Sequence, residues 1–155
     1  MTETILVTGS QGFIGTYVCQ ELLNHNYNVI GIDNFSKYGK ITRAHDKHEN
    51  FQLIEEDCSK SEFVDKVKDI KFDYIIAGAA MIGGIAYFHK YAYDLIATNE
   101  RIIANTFDLA LQRFKIGELK KILVLSSSMV FENTTKWPSS ESDIDTCPPP
   151  ASTYG

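Results

Sequence analysis

Residues 4–15 read Thr4-Ile5-Leu6-Val7-Thr8-Gly9-Ser10-Gln11-Gly12-Phe13-Ile14-Gly15, and this stretch decides the fold. Thr4 to Val7 is a short apolar run ended by a glycine, the pattern of a strand buried on both faces. From Phe13 to Asn24, Ile14, Val18 and Leu22 fall four apart, one stripe of a helix. Between strand and helix lies G-x-x-G-x-x-G. Gly9 makes the tight turn, Gly12 lets the backbone approach a pyrophosphate, and Gly15 permits close helix–sheet packing. The helix beginning at Phe13 and Ile14 turns its free N–H groups and the positive end of its dipole toward that phosphate.

The next apolar run, Val29 to Ile32, ends on Asp33, about 18 residues beyond Gly15. A carboxylate there accepts hydrogen bonds from the adenosine ribose hydroxyls and repels a 2′-phosphate. NAD is therefore expected in preference to NADP, with Lys37 and Arg43 as nearby counter-charges. Residues 34–49 are polar and irregular, a surface loop. A third strand follows at Phe51 to Ile54, then a short helix from Ser61 carrying Phe63, Val64 and Val67. The fourth strand, Tyr74 to Ala77, opens into small residues from Gly78 to Gly84. A long helix covers Tyr93 to Phe114, with Ile96, Asn99, Ile103, Thr106 and Ala110 expected along its buried side and Asn105 facing outward. Lys121 to Leu125 is the fifth strand, and residues 129–153 read as loop.

This alternation predicts an α/β fold, a Rossmann-type doubly wound parallel sheet of order 3-2-1-4-5. Residues 1–155 are expected to form one NAD-binding domain, incomplete at its C-terminus because no sixth strand appears. The net charge of -5 argues against a nucleic-acid partner. Three scattered cysteines have no zinc-type spacing and suit a reducing compartment. The run His45-Asp46-Lys47-His48-Glu49 lies in a loop, and no metal site is expected. No leader opens the chain and no apolar run is long enough to span a bilayer, so a cytoplasmic protein without a membrane partner is expected.

These motifs together resemble the extended short-chain dehydrogenase/reductase family, the NAD-dependent epimerases and dehydratases. The match takes in the glycine loop, Asp33-Asn34 after the second strand, and Asp57-Cys58 where the family places an acid and an apolar residue near adenine. It also takes in Ala79-Ala80 beside the cofactor and Asn99 at the family's helix asparagine. Ser126-Ser127-Ser128-Met129-Val130-Phe131 is similar to the family's S-S-x-x-V-Y-G. Tyr154-Gly155 is similar to the start of its Y-x-x-x-K. The stretch Ala79 to Ile85 is like that of GDP-fucose synthase and GDP-mannose 3,5-epimerase, whereas Asp33-Asn34 is more like UDP-glucose 4-epimerase, and no subfamily follows.

The resemblance implies a nucleotide-sugar substrate, hydride exchange with NAD, and a possible homodimer through the long helix. It implies Ser127 and Tyr154 as catalytic residues. Glycines 9, 12 and 15 with Phe13, Ile14, Asp33, Asn34, Asp57, Cys58, Ala79, Ala80 and Asn99 would hold the cofactor. Two departures stand out. Phe131-Glu132 replaces the usual Tyr-Gly, and the motif's lysine would fall beyond Gly155. A free tyrosine of pKa about 10 is only about 0.1% phenolate at neutral pH, a deficit of about 4 kcal/mol that the lysine normally reduces. The expectation is a fragment of a longer enzyme, with weak or no turnover of its own. The competing expectation is a non-catalytic dinucleotide-binding regulator or sensor.

Overall fold

In the computed structural model, which describes residues 2–152, five parallel strands lie in the order β3-β2-β1-β4-β5. They are β1 (Thr4–Thr8), β2 (Asn28–Asp33), β3 (Phe51–Glu55), β4 (Tyr74–Ala77) and β5 (Lys121–Val124). The helices are α1 (Phe13–Asn24), α2 (Glu62–Val67), α3 (Ile85–Lys90) and α4 (Ala92–Lys115). The expected strand order is therefore observed. Register places Leu6 between Ile30 on β2 and Ile75 on β4, so apolar runs meet apolar runs through the centre of the sheet.

The chain forms two compact units. One takes in the residues up to Ala80 and Asn99–Leu125, and the other takes in Met81–Thr98 and the residues from Ser126 on. The first holds the sheet. Alternate strand residues feed two cores, because successive side chains of a strand point to opposite faces. Leu6, Ile30, Ile32 and Ile75 pack with Phe63, Val64 and Val67 of α2 and Ile102 and Leu109 of α4. Ile5, Val7 and Val29 pack with Cys19 and Leu23 of α1. Helices thus cover both faces, as a doubly wound sheet requires.

The long helix differs from expectation in which face it buries. Ile102, Thr106, Leu109, Ala110 and Arg113 are buried. Ile103, Phe107, Leu111 and Phe114, spaced along an adjacent stripe, stand exposed. The expected stripe from Ile96 to Ala110 ran between these two faces and merged them, since both are apolar. Asn105 is not turned outward as expected. It is half-buried and its Nδ2 donates to the Cys58 carbonyl at 2.9 Å. Arg113 is buried with its charge paired: Nη1 donates to the Lys68 carbonyl at 2.7 Å and Nη2 lies 2.6 Å from a Glu118 carboxylate oxygen, while Nε has no hydrogen-bond partner among the described residues.

β5 forms one edge of the sheet; Leu123 and Val124 are exposed on it, as is Leu125 just beyond its end. Such an edge is an invitation to further pairing. In the second unit, the expected loop after residue 128 contains two 3₁₀ turns, Ser128–Phe131 and Glu141–Asp145.

One glycine of the sheet is fixed by crowding. A Cβ on Gly31 of β2 would sit 2.6 Å from the Ser10 hydroxyl and 2.7 Å from the Phe51 ring. Gly31→Ala should cost about 1–3 kcal/mol in urea unfolding, the usual cost of overpacking a core. Unchanged stability would show that Ser10 and Phe51 yield freely.

Candidate functional site

The glycine loop is built by contacts that exclude side chains. Gly9 takes φ +73°, and a Cβ there would lie 2.9 Å from the Ala79 backbone. Its N–H donates to the Ile32 carbonyl at 2.8 Å, and Ser10 N–H donates to the same oxygen at 3.2 Å. A Cβ on Gly15 would sit 2.0 Å from the Gly9 carbonyl oxygen, so α1 packs directly on the turn that precedes it. Gly12 is the N-cap of α1 and offers no side chain of its own. The first N–H groups of the helix have no intrahelical acceptor. This is a cradle for an anion, and its dipole sign suits a pyrophosphate. Phe13 and Ile14, at the head of α1, are exposed.

Asp33 closes the far side of the cradle. Its Oδ2 accepts from Gln11 N–H at 2.9 Å and its Oδ1 from Phe35 N–H at 2.8 Å. A carboxylate has about four acceptor positions, so each oxygen keeps capacity for a ribose hydroxyl. Asp57 and Asn34 are brought together beside it. Burial raises the Asp57 pKa, but the Ser59 hydroxyl and N–H and the Asn34 side chain outweigh burial and hold it below the ordinary carboxylate value. Cys58 places its thiol in the core, where burial pushes its pKa up to about 12. Ala79 packs against that core, Ala80 is exposed, and Asn99 is half-buried on α4.

Several residues of this site carried no signal in the sequence. Thr8 is fully buried, and its hydroxyl accepts from Gly78 and Ala79 N–H, both at 3.1 Å, which fixes the loop after β4. Gln11 is tied to the 3₁₀ turn Ala44–Lys47, within the stretch expected to be irregular. Such residues are recognised by their partners, and the partners lie tens of positions away.

In the second unit, Ser127 caps the turn Ser128–Phe131, its Oγ accepting from Met129 N–H at 3.2 Å. That leaves the hydroxyl proton available to another oxygen. Ser126–Glu132 together with Trp137, Pro138 and Ser139 line a cleft of about 750 Å³. Glu132, which departs from the family's glycine, accepts from the N–H groups of Ala151 at 3.0 Å and Ser152 at 2.9 Å. Those donors lower its pKa. Asn133 Nδ2 donates to the Pro149 carbonyl at 2.6 Å. The expected catalytic Tyr154 lies outside the described residues.

The chain belongs to the NAD dependent epimerase/dehydratase family, whose sequence model matches residues 5–155. It is 33% identical over 150 residues to an uncharacterised protein of Methanocaldococcus jannaschii, covering 91% of this chain and 44% of that one. To UDP-glucuronate 4-epimerase 4 of Arabidopsis thaliana it is 30% identical over 146 residues, covering 90% of this chain and 32% of the relative. A UDP-glucose 4-epimerase of Thermotoga maritima, solved with UDP-glucose, matches with a TM-score of 0.74 at 28% identity, over 98% of this chain and 46% of that one. The Bordetella bronchiseptica enzyme WbmG, solved with NAD, shares the fold with a TM-score of 0.77 at 21% identity, over 100% of this chain and 46% of that one. The chain thus spans less than half the length of these relatives. Among the described residues no helix is long and apolar enough to cross a membrane.

His45 supplies a pH test of the loop's anchorage. Its ring is buried edge-on against Phe51, at 4.5 Å between centroids. Burial lowers its pKa, opposed by Asp46 and reinforced by Arg43. The folded chain therefore favours neutral His45, while the unfolded chain protonates it near the free value of about 6.5. That stabilisation is full above about pH 6.5 and is lost as pH falls through the lowered folded value. Urea-unfolding free energies at about pH 7.5 and about pH 5.5 should differ less in His45→Phe than in the parent; an identical difference would remove His45 from the account.

Proposed function

We propose that this chain is the NAD-binding half of an enzyme that epimerises UDP-linked hexoses, and that the catalytic groups are Ser127 and Tyr154. The observation that carries the reading is the Gly9–Gly15 cradle with the Asp33 carboxylate held across it by Gln11 N–H at 2.9 Å. Relatives named as UDP-glucose and UDP-glucuronate 4-epimerases support the choice of substrate over a non-catalytic sensor. The remaining length of those relatives supports a longer protein, in which a C-terminal half grips the sugar nucleotide.

Glycines 9, 12 and 15, the α1 N-terminus, Asp33, Asn34 and Asp57 would hold the cofactor, with Cys58, Ala79, Ala80 and Asn99 around them. Bound NAD supplies a hydride acceptor at nicotinamide C4. Ser127 donates its hydroxyl proton to the reacting sugar oxygen and holds that oxygen in line. Tyr154 takes and returns the proton of the same oxygen. Its lysine partner would lie four residues further on. A cytoplasmic location fits the free cysteines, two of them buried.

In the protein carrying the full reading frame, UDP-glucose or UDP-glucuronate should be converted to its C4 epimer, followed by proton NMR. Tyr154→Phe should lower kcat about a thousandfold and Ser127→Ala about a hundredfold, matching the loss of a general acid–base and of one oxyanion donor. Turnover unaffected by Tyr154→Phe would overturn the catalytic assignment. In this chain alone, Asp33→Asn should weaken NAD at least tenfold by calorimetry, the ribose contact being charge-assisted, at about 1.5–3 kcal/mol. Equal affinity would remove Asp33 from the site.

A homodimer through α4 is part of the same proposal. The stripe of Ile103, Phe107, Leu111 and Phe114 is apolar and exposed, and Phe114 is 66% accessible. Phe107→Glu should halve the sedimenting mass of the full-length protein. A parent that already sediments as a monomer contradicts the dimer.

A further inference from the structure

We propose that Gln11 is a positioning residue for the cofactor. It bridges the glycine loop to the turn after β2 and so aims the Asp33 carboxylate. The inference rests on the cofactor reading above and adds to it the element that holds the ribose acceptor in place.

Gln11 occupies one of the two positions between Gly9 and Gly12, where a side chain would ordinarily face solvent, yet only 3% of it is exposed. Three of its polar groups are used, each in a different direction, while the side-chain Oε1 is buried with no hydrogen-bond partner among the described residues. Its N–H donates to Asp33 Oδ2 at 2.9 Å. Its carbonyl accepts from Arg43 Nη2 at 2.7 Å. Its side-chain Nε2 donates to Asp46 Oδ1 at 2.9 Å. One residue thus joins the loop that cradles phosphate, the acid that selects the ribose, and a turn more than thirty positions away.

The turn is itself tied down by several contacts. The second oxygen of Asp46 accepts from Arg43 N–H at 2.7 Å, so one carboxylate both caps the turn and anchors Gln11. Arg43 lies over the Tyr38 ring, 5.6 Å from its centroid. His45, on the same turn, packs against Phe51 of β3 and ties the turn to the sheet. Without the side-chain bridge, the Gln11 backbone would be held by its chain neighbours Ser10 and Gly12, by Arg43, and by the very carboxylate it positions. Because that peptide donates to Asp33, slack in it becomes slack in the carboxylate. Hydrogen bonds to a charged acceptor depend steeply on alignment, so ribose binding weakens before the fold does. A loosely held carboxylate also opposes a 2′-phosphate less, so discrimination between NAD and NADP declines as well.

The test is calorimetric titration of this chain with NAD and with NADP, alongside thermal melting. Gln11→Met keeps the side-chain volume and removes the bridge. It should weaken NAD at least tenfold and narrow the NAD preference over NADP at least threefold. Asp46→Ala cuts the same bridge from the more exposed end and should do likewise, which covers the case in which the loop substitution fails to fold. Gln11→Glu combined with Asp46→Asn exchanges donor and acceptor at constant charge, and should return NAD affinity to within threefold of the parent. Tight NAD binding by the parent with unchanged affinity and preference in both single variants overturns this inference and leaves the cofactor reading standing. Failure of the double variant to recover while it melts like the parent also overturns it. A parent that binds neither nucleotide overturns the cofactor reading itself.

Discussion

No side-chain carbon fits between Gly15 and the carbonyl of Gly9. A Cβ at position 15 would approach that oxygen to 2.0 Å, far inside contact distance. The first turn of α1 is consequently pressed onto the end of β1, with its dipole aimed over the loop rather than along the surface. A Cβ on Gly9, in its left-handed turn, would in turn come within 2.9 Å of the Ala79 backbone, so the loop after β4 is seated against the same turn. Everything proposed for the chain depends on this close packing of backbone on backbone. It sets the first turn of α1 beside the residue whose N–H the Asp33 carboxylate accepts.

Around that contact the chain spends buried polar groups on positioning. Thr8 receives two N–H groups from the loop after β4, and Gln11 connects the glycine loop to Asp33 and to the Ala44–Lys47 turn. Buried hydrogen bonds of this kind contribute about 1 kcal/mol each to stability. Their larger consequence is that three separate loops share one set of coordinates. The second unit shows the same economy. The turn capped by Ser127 ends at Glu132, whose carboxylate gathers the N–H groups of Ala151 and Ser152, shortly before Tyr154 in the sequence.

Much of this was legible in the chain itself because it is governed by local rules. Alternating apolar runs and helical stripes specify a parallel sheet, and the observed strand order follows from short connections. The three glycines and Asp33 are legible because each answers to a single steric or electrostatic need at a fixed place in the motif. What was not legible depends on partners remote in sequence. Gly31 looks like any strand residue until Ser10 and Phe51 are placed beside it. The two apolar faces of α4 have similar composition, so periodicity alone located a stripe between them. Asn105 reads as a solvent-facing residue because its acceptor, the Cys58 carbonyl, lies 47 positions away.

The most direct measurement of the central claim is an amide proton–nitrogen correlation spectrum of the isotope-labelled chain, recorded during titration with NAD. Saturable shifts should concentrate at Gly12, Phe13, Ile14 and Gly15, and at Gln11 and Phe35, whose N–H groups flank Asp33. Amides at the far end of α4, from Leu111 to Lys115, should stay in place. Saturable shifts elsewhere that leave the glycine loop unmoved, or no saturable shifts at all, would contradict the account.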